Sequence, residues 1–109
     1  MSSLPSICSK RWIKFPNVLI PCLQAIAEHG IEEFKKKHEV SLIYKNVVEG
    51  WYKELDDHGN TIRYRLHIQA YDCIRRLLKF EAVLLQQHAQ NNEKSTITLE
   101  SFEQIISYL

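Results

Sequence analysis

Hydrophobic and polar positions change period along the chain, from helical spacing to strict alternation. Leu23, Ile26, Ala27, Gly30, Ile31 and Phe34 recur at helical spacing behind Pro21. Proline suits the first turn of a helix, because its missing N–H would have no partner there. The spacing predicts one amphipathic helix over about residues 20–37. Lys35, Lys36, Lys37 and His38 close it with positive charge at the negative end of the helix dipole, a stabilising stop signal rather than a binding patch. Gly30 sits on the apolar stripe, where a missing side chain costs up to about 1 kcal/mol relative to alanine. Strand backbone is therefore expected to cross close to it.

Beyond the helix the period is two. Val40, Leu42 and Tyr44 share one side of an extended chain, and Val47, Val48, Trp51, Tyr52 and Leu55 continue it with a slip in register near Asn46. Residues 56–60, DDHGN, form the strongest turn signal in the sequence. TIRYRLHIQAYD then alternates regularly, with Ile62, Tyr64, Leu66, Ile68 and Ala70 toward a core and Arg63, Arg65, His67, Gln69 and Tyr71 outward. Cys73–Arg76 turn the chain into LLKFEAVLL, with Leu78, Phe80, Ala82 and Leu84 on the core side, and residues 90–95 form a second polar loop. The ending reads two ways. Ile97 and Leu99 alternate like a strand, while Leu99, Phe102, Ile105, Ile106 and Leu109 also fit a helix; a strand with a short terminal turn is taken here. The pattern predicts an α+β domain in which one helix is wrapped by a curved, four-stranded antiparallel sheet, each burying the apolar side of the other. Residues 1–15 read as a flexible N-terminal segment and 16–109 as the domain. Leu77, Val83 and Leu85, with Tyr71, leave an apolar patch on the outer sheet face. The segment around Trp12, Ile13 and Phe15, or a second copy of the chain in a homodimer, is expected to cover it.

Composition narrows the function. At 109 residues, 45% hydrophobic and 25% charged, the chain has room for one core and no second domain. A net charge of +1 supplies no general field for nucleic acid or an anionic membrane, so neither is expected as a partner. Cys8, Cys22 and Cys73 are odd in number and widely spaced, as reduced thiols of a cytoplasmic protein would be, with the nucleus left open. The start has no apolar core of a secretory signal, and the longest apolar run, VLIPCLQAIA, is too short to span a bilayer and is broken by Pro21. His29, His38, His58, His67 and His88 show no metal-ligand spacing, and no glycine-rich phosphate loop is present. His58 beside Asp56 and Asp57 looks like an acid/base cluster but falls on a solvated turn. Cys22, near the helix N-terminus, is expected to be a small buried residue rather than a reactive thiol. Neither a metal, a cofactor nor an enzymatic activity is expected.

Particular residues nonetheless resemble the plant-type cystatins. Pro16, Ala25, Glu28 and His29 match the family's helix pattern, with Gly30 where the family has Asn. Tyr64, Arg65, Leu66, Ile68 and Ala70 match its Y-R-L-x-I-x-A strand, and Phe80, Glu81, Ala82 and Leu84 match its Y-E-A-x-V strand with apolar replacements at both ends. The likeness spans about residues 16–106 and implies a cystatin/monellin-like fold and a plant source. In this alignment NVVEG, residues 46–50, falls inside the strand that precedes the hairpin, although it is one letter from the family's Q-x-V-x-G plug.

By that resemblance, inhibition of papain-like cysteine proteases is steric: an N-terminal segment with a glycine, the Q-x-V-x-G tip and a Pro-Trp hairpin fill the cleft. All three depart here. No glycine precedes the helix, the first tip reads Lys53, Glu54, Leu55, Asp56, Asp57, His58 and Gly59, and the second hairpin is Gln90, Asn91, Asn92, Glu93 and Lys94. The expectation is a protein of the cysteine-protease-inhibitor type with weak or lost inhibition. The alternative is a non-inhibitory module that offers the same scaffold to another protein.

Overall fold

The computed structural model describes residues 11–57, 59–88 and 95–106. Expectations that rest on Cys8, His58, residues 90–94 and Leu109 lie outside them. Strand β1 (Ile13–Lys14) precedes helix α1 (Pro21–His38), followed by β2 (Ile43–Glu54), β3 (Thr61–Tyr71), β4 (Leu77–His88) and β5 (Ser95–Gln104). The strands form one antiparallel sheet in the order β1-β2-β3-β4-β5.

Helix α1 begins as the proline placement predicts. Ile20 at its N-cap offers no side-chain cap, and the entry is held instead by Asn17 Oδ1, which accepts the Leu19 N–H at 3.0 Å, and by Gln24 Nε2, which donates to the Val18 carbonyl at 2.7 Å. At the other end Glu39 adopts a left-handed conformation and its N–H returns to the Lys35 carbonyl, behind a last turn of three lysines and a histidine. Leu23, Ile26, Ala27, Gly30 and Ile31 are buried along one stripe. That stripe lies on the inner face of the sheet, where Val47, Tyr64, Leu66, Ile68, Ala70, Phe80, Ala82 and Leu84 complete the core. Among the described residues no helix is long and apolar enough to cross a membrane.

Two register shifts in β2, between Tyr44 and Asn46 and between Val47 and Glu49, sit where the slip is expected, and each adds twist that curls the sheet around the helix. The alternation in β3 and β4 is the observed one, paired without interruption from Thr61↔Gln87 to Tyr71↔Leu77. At the C-terminus the strand reading holds as far as Gln104 and the helical one fails. Pairing with β4, with a register shift between Leu99 and Ser101, carries Phe102 onto the rings of Phe34 and Phe80, with centroids 4.2 and 4.9 Å apart. The shift breaks the alternation and lets Ile97, Leu99 and Phe102 all pack on the core.

The structure corrects several expectations. The sheet has five strands, because Ile13 and Lys14 pair with Tyr52 and Trp51 and the Phe15 N–H bonds to the Gly50 carbonyl at 2.9 Å. The boundary at residue 16 thus falls just after a paired strand, and Ile13 and Lys14 belong to the sheet. Near Gly30 the close approach is made by the Leu84 side chain, 3.1 Å from where a Cβ would stand, and not by strand backbone. Val40 is exposed, because the chain does not join the sheet until Ile43. Cys22 is exposed too, since the second helical position faces solvent while Leu23 turns inward. Phe15 packs inward on Gly50, Tyr52 and Tyr64, so it does not cover Val83 and Leu85; these are half-buried beside Arg65 and Arg63, their cross-strand partners.

Candidate functional site

One end of the sheet gathers three segments. β1 runs beside Trp51 and Tyr52, the β2–β3 hairpin turns through residues 55–60, and β4 and β5 end and begin at His88 and Ser95, paired with each other. The His88 N–H bonds to the Asn60 carbonyl at 2.9 Å, which ties the end of β4 to the first hairpin.

The hairpin is closed from within. The Leu55 N–H donates to the Thr61 carbonyl at 2.9 Å, and the Asp56 carboxylate accepts the Asn60 N–H at 2.9 Å and the Thr61 N–H at 3.4 Å. Gly59 supplies the positive φ of 71° that this turn requires. An aspartate that holds its own backbone in this way is a turn-former, and it makes the tip short and polar. Lys53 and Glu54 are the last residues of β2, facing opposite sides of the sheet, with the Lys53 ammonium 4.8 Å from the centre of the Trp12 ring.

The NVVEG segment is strand. Asn46 pairs with Gln69, Val47 with Ile68, Glu49 with His67 and Gly50 with Leu66. Val47 is 1% exposed, and a Cβ on Gly50 would stand 3.0 Å from Leu66 Cδ2, so Phe15 closes over a position that has no room for a side chain.

The remaining residues singled out from the resemblance take structural places. Tyr64 is buried, donates to Gln86 Oε1 at 2.9 Å, and has its hydroxyl pKa raised by burial and by Cys22. Leu66 is fully buried. His29 donates from Nε2 to the Ile97 carbonyl at 3.1 Å and so binds the helix to β5, whereas Ala25 and Glu28 face solvent.

Arg65 belongs to a cluster that the sequence reading missed. On the outer face its guanidinium lies between two indoles, 5.0 Å from the Trp12 centroid and 4.4 Å from that of Trp51. Next to it, His67 donates from Nε2 to Glu81 Oε2 at 3.1 Å, and its Nδ1 lies 3.3 Å from Glu49 Oε1 but is too poorly aligned to bond. Lys14 reaches Glu49 at 3.4 Å, and that hydrogen bond holds the Glu49 carboxyl below the usual range. The pairing of Trp51 with Arg65 was available only from the register, since the two residues are fourteen positions apart. The cluster fastens β1 to the sheet, stacking cation on aromatic ring. Among the described residues no group of three or more His, Cys, Asp or Glu is placed to hold a metal ion.

A helix held in a curled antiparallel sheet, with an N-terminal strand and hairpins meeting at one end, defines a cystatin-like protein. The family model of the phloem filament protein PP1 cystatin-like domain matches residues 21–102, three quarters of the chain, and the chain belongs to that family. No curated protein matches it.

Proposed function

We propose that the chain is a protein-binding member of the cystatin-like family, of the cysteine-protease-inhibitor type, in which occlusion of papain-like clefts is weak or lost. One observation carries this reading: the tip of the first hairpin, the plug position by the family resemblance, is a polar turn held by Asp56. An apolar plug contributes about 1.5–3 kcal/mol for each buried valine, while carboxylates brought into a cleft carry a desolvation penalty. Both terms act against tight inhibition. The match to a domain named for a phloem filament protein favours the second reading, a non-inhibitory module offered to another protein, and fits a plant source.

Titration of papain with the natural chain, and with a graft that replaces residues 53–59 by Q-V-V-A-G and residues 90–94 by a Pro-Trp hairpin, tests the inhibitory side. The natural chain should inhibit weakly and the graft more than tenfold better, at about 1.4 kcal/mol per decade. Tight, stoichiometric inhibition by the natural chain would overturn the reading.

A further inference from the structure

The end of the fold away from the first hairpin carries an excess of exposed aliphatic side chains. Val40, Ile43, Ile74, Leu77 and Ile106 are 41%, 60%, 66%, 46% and 61% exposed. Topology brings them together: Ile43 and Leu77 both pair with Tyr71 on the terminal rungs of β2–β3 and β3–β4, and the Ile105 N–H bonds to the Lys79 carbonyl beside them. Val40 lies at the same end, on the helix side, in a recess of about 410 Å³ that it lines with Cys73, Arg76 and Leu78.

The β3–β4 turn projects from this end, and residues 73–77 are all exposed. Its shape is fixed by Asp72, whose carboxylate accepts the N–H groups of Ile74 and Arg76 at 3.0 and 2.8 Å and the Arg76 Nε at 2.8 Å. Arg75, at a φ of 66°, makes no ion pair among the described residues. The turn therefore presents Ile74 and Arg75 side by side on a fixed backbone.

Charge is concentrated at the same end. Residues 35–45 hold four lysines against Glu39, a net +3, and residues 72–79 hold Arg75, Arg76 and Lys79 against Asp72, a net +2. Together they carry +5 in a chain of net +1, leaving the rest at −4; counting Glu103 at the border and Glu32, which pairs with Lys35 at 3.3 Å, lowers the excess to +3. The small total, which argued against an anionic surface as partner, conceals a strongly polarised molecule.

We propose that this end is a docking surface for an anionic lipid bilayer, with Ile74 and its aliphatic neighbours entering the headgroup–acyl boundary and the cations facing lipid anions. The exposed Lys36, Lys37 and Lys45 favour lipid over protein, because the cores of protein interfaces are depleted in lysine though not in arginine, whereas a bilayer surface accommodates aliphatic side chains beside cations of both kinds. β3 spans about 33 Å from the first hairpin to this end at roughly 3.3 Å per residue, so a docked molecule holds the hairpin edge clear of the membrane.

Co-sedimentation of the full chain with phosphatidylcholine vesicles, with and without phosphatidylserine and at low and raised salt, tests the proposal. Binding should require phosphatidylserine and weaken with salt. Ile74→Asp should abolish most of it. Arg75→Glu should weaken it more than fivefold, the approximate effect of one cation at such a surface. Leu19→Asp, at an equally exposed aliphatic outside this end, should leave it unchanged, and circular dichroism reports whether each variant is folded. Three results would overturn the proposal: no sedimentation with phosphatidylserine at low salt, binding unmoved by Ile74→Asp and Arg75→Glu, or equal loss with Leu19→Asp. Capture of a Glu-rich aliphatic peptide without vesicle binding would also overturn it, and would assign the end to an acidic protein segment.

Discussion

Gly30→Ala tests how closely the helix sits on the sheet. In a helix interior the change gains up to about 1 kcal/mol from backbone entropy. Here the new methyl would stand 3.1 Å from Leu84 Cδ2, with Leu84 Cδ1 and Cγ at 3.6 and 3.7 Å. Leu84 is fully buried and paired on both sides, with Tyr64 and with Leu99, so its methyl must retreat by a few tenths of an ångström into packed core. Overpacking of this kind costs about 1–3 kcal/mol. The expected net effect is a destabilisation of about 1 kcal/mol. Leu84→Ala alone should cost about 2–5 kcal/mol through the cavity it leaves. In that background the crowding is gone and Gly30→Ala should stabilise by about 1 kcal/mol, giving a coupling near 2 kcal/mol. Urea unfolding of the four proteins, followed by tryptophan fluorescence and far-ultraviolet circular dichroism, measures the cycle. The reasoning is refuted if Gly30→Ala has the same sign and size in both backgrounds.

Phe102→Ala removes the ring stacked between Phe34 and Phe80 and should cost about 3 kcal/mol in the same assay, with loss of protection in β5. Trp12→Ala removes one face of the stack on Arg65, a contact of about 1 kcal/mol, and should speed hydrogen exchange of the Phe15 amide bonded to Gly50. The Asp72 carboxyl is held below its usual value, first by the Arg76 N–H, then by the Arg76 side chain and the Ile74 N–H. A lowered folded-state pKa means stability that is present above the unfolded aspartate range and lost as pH falls through the folded value, below about 4. Asp72→Asn should therefore flatten the acid end of the stability–pH curve, and an unchanged curve would show that the turn draws nothing from that charge.

The helix and the two central hairpin strands were legible because each obeys a single period. Pro21 and the lysine run mark the ends of α1, and the alternation from Ile62 to Ala70 leaves one face free for core. What the sequence hid depends on chain segments distant from one another. β1 is two residues long, too short for any period, and it exists because Gly50 leaves space for Phe15 and Arg65 offers a cation to Trp12. The ending was ambiguous because Ile97 and Leu99 alternate like a strand while Leu99, Phe102, Ile105 and Ile106 follow a helical spacing, and the strand wins through a register shift that sets Phe102 against Phe34 and Phe80.

The candidate site was legible in position and opaque in consequence. DDHGN marks the first hairpin in the sequence, but the hydrogen bonds from Asn60 and Thr61 to Asp56 are what make the tip a self-contained turn rather than a loop waiting for a cleft. Charge shows the same limit more sharply. A count over the whole chain returns +1, whereas antiparallel pairing brings the end of α1, the start of β2 and the β3–β4 turn to one pole and concentrates positive charge there. Folding sorts the charges that composition averages, so an interaction surface dismissed on net charge has to be sought again once the strand register is known.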